Sequence, residues 1–76
     1  MSTLSFFAKT RLLFIDDLLN NNETVTAQEL KDTFGVSQTT ITRDFALYKK
    51  LRPRNMAKCP KTNKYIKTGL FVPLEL

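Results

Sequence analysis

The sequence predicts a mainly α domain of three helices followed by a small β-hairpin, and three observations lead there. Thr26 and Glu29 have the spacing of a capping box, with Val25 and Leu30 at the positions of a hydrophobic staple, so a helix begins at Ala27. Gly35 then supplies the positive φ of a tight helix end, and Ser37, bracketed by Val36 and Ile41, caps a further helix a few residues on. After Pro53 the helical period is lost, and turn chemistry at residues 60–63 separates two short segments, 55–59 and 64–68.

The first helix is read from residue 5 to about Asn20. Phe7, Ala8, Leu12, Ile15, Leu18 and Leu19 recur at three- and four-residue steps, while Lys9, Asp16 and Asp17 fall off that stripe. Asn20, Asn21 and Asn22 are expected to end it, because asparagine tolerates left-handed backbone. Phe6, Phe7 and Phe14 are assigned to the core. The second helix is short, Ala27 to Phe34, and the third runs from Gln38 to about Leu51, where Pro53 blocks continuation. Two helices about three residues apart with glycine in the turn make a helix-turn-helix. With the hairpin behind them, the order is that of a three-helix winged helix-turn-helix.

Length and composition fit one domain over residues 1–76. A chain of 76 residues buries only roughly 60% of its unfolded surface, so every large apolar side chain matters to the core. The apolar fraction is 42% and Gly plus Pro number five, which argues against wholesale disorder. The longest apolar run, residues 12–15, is too short to span a membrane, and residues 1–9 lack the features of a secretory signal. A cytoplasmic location is expected.

Catalysis and metal chemistry have little to work with. There is one cysteine, Cys59, and no histidine, so neither an internal disulfide nor a metal site is expected, and the commonest general base is missing. Asp16 and Asp17 point about 100° apart on a helix and do not form an acid/base pair. No enzyme activity and no cofactor are expected.

Charge points to a partner. The net charge is +5, but residues 1–42 carry three Lys/Arg against five Asp/Glu, a balance of −2, whereas residues 43–76 carry nine against two, a balance of +7. A basic block that begins inside the third helix implies a polyanion. With Ile41 at 0° and about 100° per residue, Phe45 and Tyr48 share its side, while Thr39, Thr42, Arg43, Ala46 and Lys50 fall between about 100° and 200°. One face is thus core and the other small and polar, with an arginine near its middle.

Such a face suits a major groove about 12 Å wide. Threonine offers a hydroxyl and a methyl, glutamine pairs with adenine and arginine with guanine, so Gln38, Thr39, Thr42 and Arg43 are the candidate base readers. Ser37, Thr40 and the amides of the helix start suit phosphate, although Thr40 lies beside the core stripe and can bond a carbonyl one turn back. Three threonines in four positions lower helix propensity with no structural return, which favours reading over solvent-facing filler. Asp44 would repel phosphate and is expected to cap or pair locally. Lys49, Lys50, Arg52, Arg54, Lys58, Lys61, Lys64 and Lys67 form a second class, suited to the DNA backbone or an adjacent minor groove, and also able to guard a sheet edge.

These residues carry a resemblance. Glu29-Leu30, FGVS at 34–37 and TITRDF at 40–45 resemble the amino-terminal winged helix of DeoR-type bacterial repressors. The tail, with Tyr48, Pro53, Asn55, Tyr65, Phe71 and Pro73, is similar to the winged helix of WYL-domain regulators beside BREX and CBASS phage-defence islands. The likeness spans about residues 11–73. It implies a small DNA-binding transcriptional regulator, a repressor, from a phage or other mobile element. Lys31 departs from it, standing where a small residue usually packs on the recognition helix, and its stem must snorkel outward. Lys58 and Cys59 stand where an aromatic and an acidic residue are expected. Those families carry a further, carboxy-terminal sensor and dimerisation domain, and the likeness here covers the winged helix alone, so the resemblance implies a DNA-binding repressor fold but no small-molecule ligand.

A module this small covers little DNA, so specificity is expected to need a homodimer on a two-fold double-stranded DNA site. The apolar ends, residues 4–7 and 70–76, are the candidate contacts, with packing on their own core as the alternative. Two rival functions remain at this level: a winged helix that binds a partner protein as a small inhibitor, and an architectural protein that bends DNA for recombination.

Overall fold

The computed structural model describes residues 5–75. Helix α1, Phe6–Asn22, opens on Ser5, whose hydroxyl oxygen accepts the Ala8 N–H at 3.0 Å. The three asparagines do not end it. All lie within the helix, and the left-handed residue is Glu23, φ 65°, whose N–H donates to the Leu19 carbonyl at 3.1 Å. The stop is tertiary in origin, because the chain must there turn into a strand, β1, Thr24–Val25.

Helix α2, Ala27–Phe34, carries both halves of the expected capping box: Glu29 N–H donates to Thr26 Oγ1 at 3.2 Å and Thr26 N–H to Glu29 Oε1 at 2.9 Å. Gly35 takes φ 64° and donates its N–H to the Lys31 carbonyl at 2.8 Å. A β-carbon there would be strained although space is open around it. Helix α3, Gln38–Leu51, starts on Ser37, whose Oγ accepts the Thr40 N–H at 3.3 Å, and stops before Pro53.

Strands β2, Met56–Lys58, and β3, Tyr65–Lys67, form the wing. The sheet has three strands rather than the two of the expected hairpin, in the order β1-β3-β2, all antiparallel. Val25 pairs with Tyr65 and Lys58 also pairs with Tyr65, so β3 is central and β1 ties the wing to the helices. At two residues, β1 is too short to show any period in sequence. In the wing turn Asn63 takes φ 60°, and the Asn63 N–H donates to the Cys59 carbonyl at 2.8 Å.

The buried core is Leu12, Ile15, Leu19, Val25, Leu30, Ile41, Phe45, Tyr48, Met56 and Leu74. Three assignments on α1 differ from expectation. Phe6 and Phe7 are exposed, because Leu12 is the first α1 side chain the core reaches and the two rings sit more than a turn before it. Phe14 is only partly buried, edge to face with Phe34 at 5.2 Å between centroids. Asp16 is buried: its Oδ1 accepts the Tyr48 hydroxyl at 2.7 Å and the Leu74 N–H at 3.1 Å. Asp44 does not pair locally but reaches across to α1, where Arg11 Nε donates to its Oδ2 at 2.5 Å. Residues 1–4 and 76 lie outside the described part, including Leu4 and Leu76 of the two apolar ends. Within it, Leu74 packs into the core while Leu70 and Val72 are exposed. No helix of the described residues is long and apolar enough to cross a membrane.

Candidate nucleic-acid interface

Helix α3 is held by its inner side, which leaves the opposite one open. Ile41, Phe45 and Tyr48 are buried, and Asp44 on the flank is clamped by Arg11. Gln38, Thr39, Thr42, Arg43 and Ala46 are all exposed, as the wheel requires. Gln38 Nε2 donates to Thr42 Oγ1 at 3.3 Å, one turn along, so these two polar groups hold each other in place. Among the described residues, Thr39 and Arg43 have no side-chain partner. Five hydrogen-bond donors of the guanidinium therefore project into solvent from the middle of the face.

At the helix start, Ser37 Oγ accepts the Thr40 N–H and donates to Thr40 Oγ1 at 3.3 Å. Thr40 is half-buried, and its hydroxyl serves the cap rather than a carbonyl one turn back. The basic residues divide. Lys49, Lys50, Arg54, Lys58, Lys61 and Lys64 are exposed on the helix end and the wing. Arg52 is half-buried and turned inward, donating from one terminal nitrogen to the Leu51 carbonyl at 3.0 Å and from the other to the Pro73 carbonyl at 3.4 Å. Its guanidinium is thus shared between the end of α3 and the C-terminal segment. Lys67 is half-buried too, with its ammonium 5.2 Å from the Phe71 ring centroid. Lys31 is half-buried.

Between α3 and the wing lies a cleft of about 600 Å³. Gln38, Thr42, Ala46 and Lys49 form its helix wall, and Lys58, Asn63 and Tyr65 its wing wall. Phe45 stacks on Tyr65 at 4.6 Å and 24°, joining the two walls at the base. The Lys58 ammonium sits 5.9 Å from the Tyr65 ring centroid, a cation–π contact in place of the aromatic residue expected there. Asn63 and Tyr65 were not among the expected site residues. An asparagine, which tolerates positive φ, in the turn at residues 60–63 is the signal in sequence for the first, and the pairing of β3 with both neighbours leaves no local signal for the second.

Behind the interface, Asn55 is almost fully buried and joins three elements. Its Nδ2 donates to the Tyr48 hydroxyl at 2.9 Å and the Val72 carbonyl at 2.7 Å, and its Oδ1 accepts the Val72 N–H at 2.8 Å. With Asp16 accepting from Tyr48, this chain of bonds runs from α1 through α3 to the wing and the C-terminal segment. Burial pushes the Tyr48 phenol well above its ordinary range, reinforced by the Asp16 carboxylate, with Asn55 opposing. In the wing turn, hydrogen bonds from Thr62 and the Lys61 backbone draw the Cys59 thiol below its ordinary pKa.

The site is thus a polar helix face, an adjoining cleft and a basic wing, with rigid support behind. No curated protein matches the chain. The model of the BrxR transcriptional regulator winged helix-turn-helix domain matches residues 8–76, which include all three helices but for the first two residues of α1, the whole sheet and every candidate contact, and the chain belongs to that family.

Proposed function

We propose that the chain binds double-stranded DNA sequence-specifically in the cytoplasm and acts as a transcriptional repressor, as a homodimer on a two-fold site. The observation that carries the reading is the outward face of α3, where Gln38, Thr39, Thr42 and Arg43 stand exposed opposite a fully buried stripe. Side chains that are short, or that hydrogen-bond base edges, let the helix enter a major groove, where Arg43 faces guanine, Gln38 faces adenine and the threonine methyls meet thymine. Ser37, Thr40 and the amides of the α3 start meet phosphate. Lys49, Lys50, Arg54, Lys58, Lys61 and Lys64 follow the backbone on either side of the cleft, and Arg52 contributes by holding the C-terminal segment that supports them. Membership of a family of transcriptional regulators supports the same reading.

Salt titration on a random duplex tests it. Six phosphate contacts per chain give a log-log slope of about −5. An undetectable affinity at low salt refutes DNA binding and leaves a protein partner for this face. Selection of bound sequences from a random duplex pool then tests specificity, and an inverted repeat among them reports the two-fold arrangement. Strong bending in gel mobility without sequence preference would mark an architectural protein instead.

A further inference from the structure

The cleft between α3 and the wing holds a side chain that the wing turn does not need. Asn63 takes φ 60° and donates its N–H to the Cys59 carbonyl, while the Cys59 N–H donates to the Lys64 carbonyl, so the backbone closes the turn by itself. A common task of asparagine in a turn is to bond the backbone two residues on. Here Thr62 performs it, its Oγ1 accepting the Lys64 N–H at 3.4 Å. The Asn63 amide is exposed and has no partner among the described residues. Left-handed backbone alone would be served better by glycine, which adopts it at no steric cost. What the asparagine adds is a donor and an acceptor on the wing wall of the cleft.

The rest of the cleft suits an anion. Its charged lining residues are Lys49 from the helix and Lys58 from the wing, and no carboxylate of the described residues lines it. Lys58 is held at the wall, with its ammonium 5.9 Å from the centroid of the Tyr65 ring, which is itself stacked on Phe45 of α3. Two cations and a free amide on facing walls offer charge-assisted hydrogen bonds to a phosphate.

The helical wheel says which part of a duplex reaches this place. With Ile41 at 0°, Gln38, Lys49 and Thr42 lie near about 60°, 80° and 100°, on the wing side, whereas Thr39 and Arg43 lie near about 160° and 200°. With α3 in a major groove, the strand bordering that groove on the wing side passes between the helix and the wing. Gln38 and Thr42 stand where the bases of that strand turn into the groove.

We propose that the cleft seats the backbone of one DNA strand and that Asn63 is a further DNA-contacting residue, its amide donating to a phosphate flanked by Lys49 and Lys58. The inference rests on the DNA reading proposed above and adds a fixed register to it. Phosphate contacts carry no sequence information, but they set how a helix lies in its groove.

Duplexes carrying a single uncharged methylphosphonate at successive positions, titrated with the parent chain and with Asn63→Gly and Asn63→Asp, test it. Glycine keeps the left-handed turn and removes the amide; aspartate keeps the shape and replaces the donor with a negative charge. Asn63→Gly should melt as the parent does and lose about tenfold in affinity on every sequence. Its salt slope should be unchanged, because a neutral contact releases no counterion, whereas Lys58→Ala should lower the slope by about 1. At one phosphate the methylphosphonate should cost the glycine variant less than it costs the parent, a coupling absent at the other positions. Asn63→Asp should lose more than glycine and recover part of that loss on the duplex neutralised at the same phosphate. A glycine variant that binds as the parent does, or one uncoupled from every phosphate, overturns the assignment of Asn63 and leaves the proposed function standing. A parent that binds no duplex at low salt overturns both.

Discussion

Truncating Arg11 to alanine leaves the Asp44 carboxylate in the interior without its counter-charge. The side chains are 15% and 6% exposed respectively, and the contact is short, with a second, weaker bond from the other guanidinium nitrogen to Oδ1 at 3.4 Å. Breaking a buried pair from one side costs about 3–5 kcal/mol, chiefly the unpaired charge that remains. Arg11 reaches the surface, so water enters behind it, and about 2–4 kcal/mol is the expected loss. For a 76-residue chain, total stability is on the order of 4–11 kcal/mol. The variant therefore loses a large share of it. Melting should drop by roughly 10–25 °C, and the urea midpoint by about 2–4 M at a slope near 1 kcal/mol per M. Arg11→Ala/Asp44→Asn removes the stranded charge and should recover more than half of the loss. The two residues sit 33 positions apart, so the cycle isolates a tertiary contact rather than a helix effect. An Arg11→Ala chain within about 0.5 kcal/mol of the parent, or a second substitution that recovers nothing, refutes the argument that the charge is what the pair protects.

Three further outcomes are expected. Arg43→Ala should cost about 1–3 kcal/mol on the preferred DNA site and relax discrimination there, read by competition between selected and scrambled duplexes; an unchanged preference removes Arg43 from the reading face. Lys61→Ala should weaken all sequences alike and reduce the salt slope by about 1, and a sequence-dependent loss would place the wing tip in a groove instead. Burial raises the Tyr48 phenol above its unfolded value near 10, so the stability it contributes is full below pH 10 and is lost as pH climbs beyond. Alkaline unfolding followed at the tyrosinate absorbance should accordingly show one of the two tyrosines ionising only as the chain unfolds. Tyr48→Phe should abolish that component, and a Tyr48 that titrates in the folded chain contradicts the bonds to Asp16 and Asn55.

What could be read along the chain was what depends on neighbours in sequence. The capping box at Thr26 and Glu29, the Ser37 cap, the left-handed Gly35 and the stop before Pro53 are interactions within three or four residues, and the structure shows each where its spacing puts it. The outward face of α3 followed as well, because one helical wheel fixes which residues oppose Ile41, Phe45 and Tyr48. Local signals nonetheless misled at α1. Three consecutive asparagines have the composition of a helix end, yet the packing of Leu18 and Leu19 and the start of β1 carry the helix through them to Glu23.

The amino-acid sequence by itself determined three helices in a helix-turn-helix, a wing, a basic second half and the four residues facing out of α3. Tertiary structure alone decided which polar groups were interior and which aromatic ones were not. Asp16 is buried because Tyr48, 32 positions away, and Leu74, 58 away, bring their donors to it. Arg52 turns inward because the C-terminal segment offers the Pro73 carbonyl, and Phe6 and Phe7 stay outside because the core begins at Leu12. Burial is a property of what the rest of the chain brings alongside a residue, and periodicity reports only the side from which it arrives.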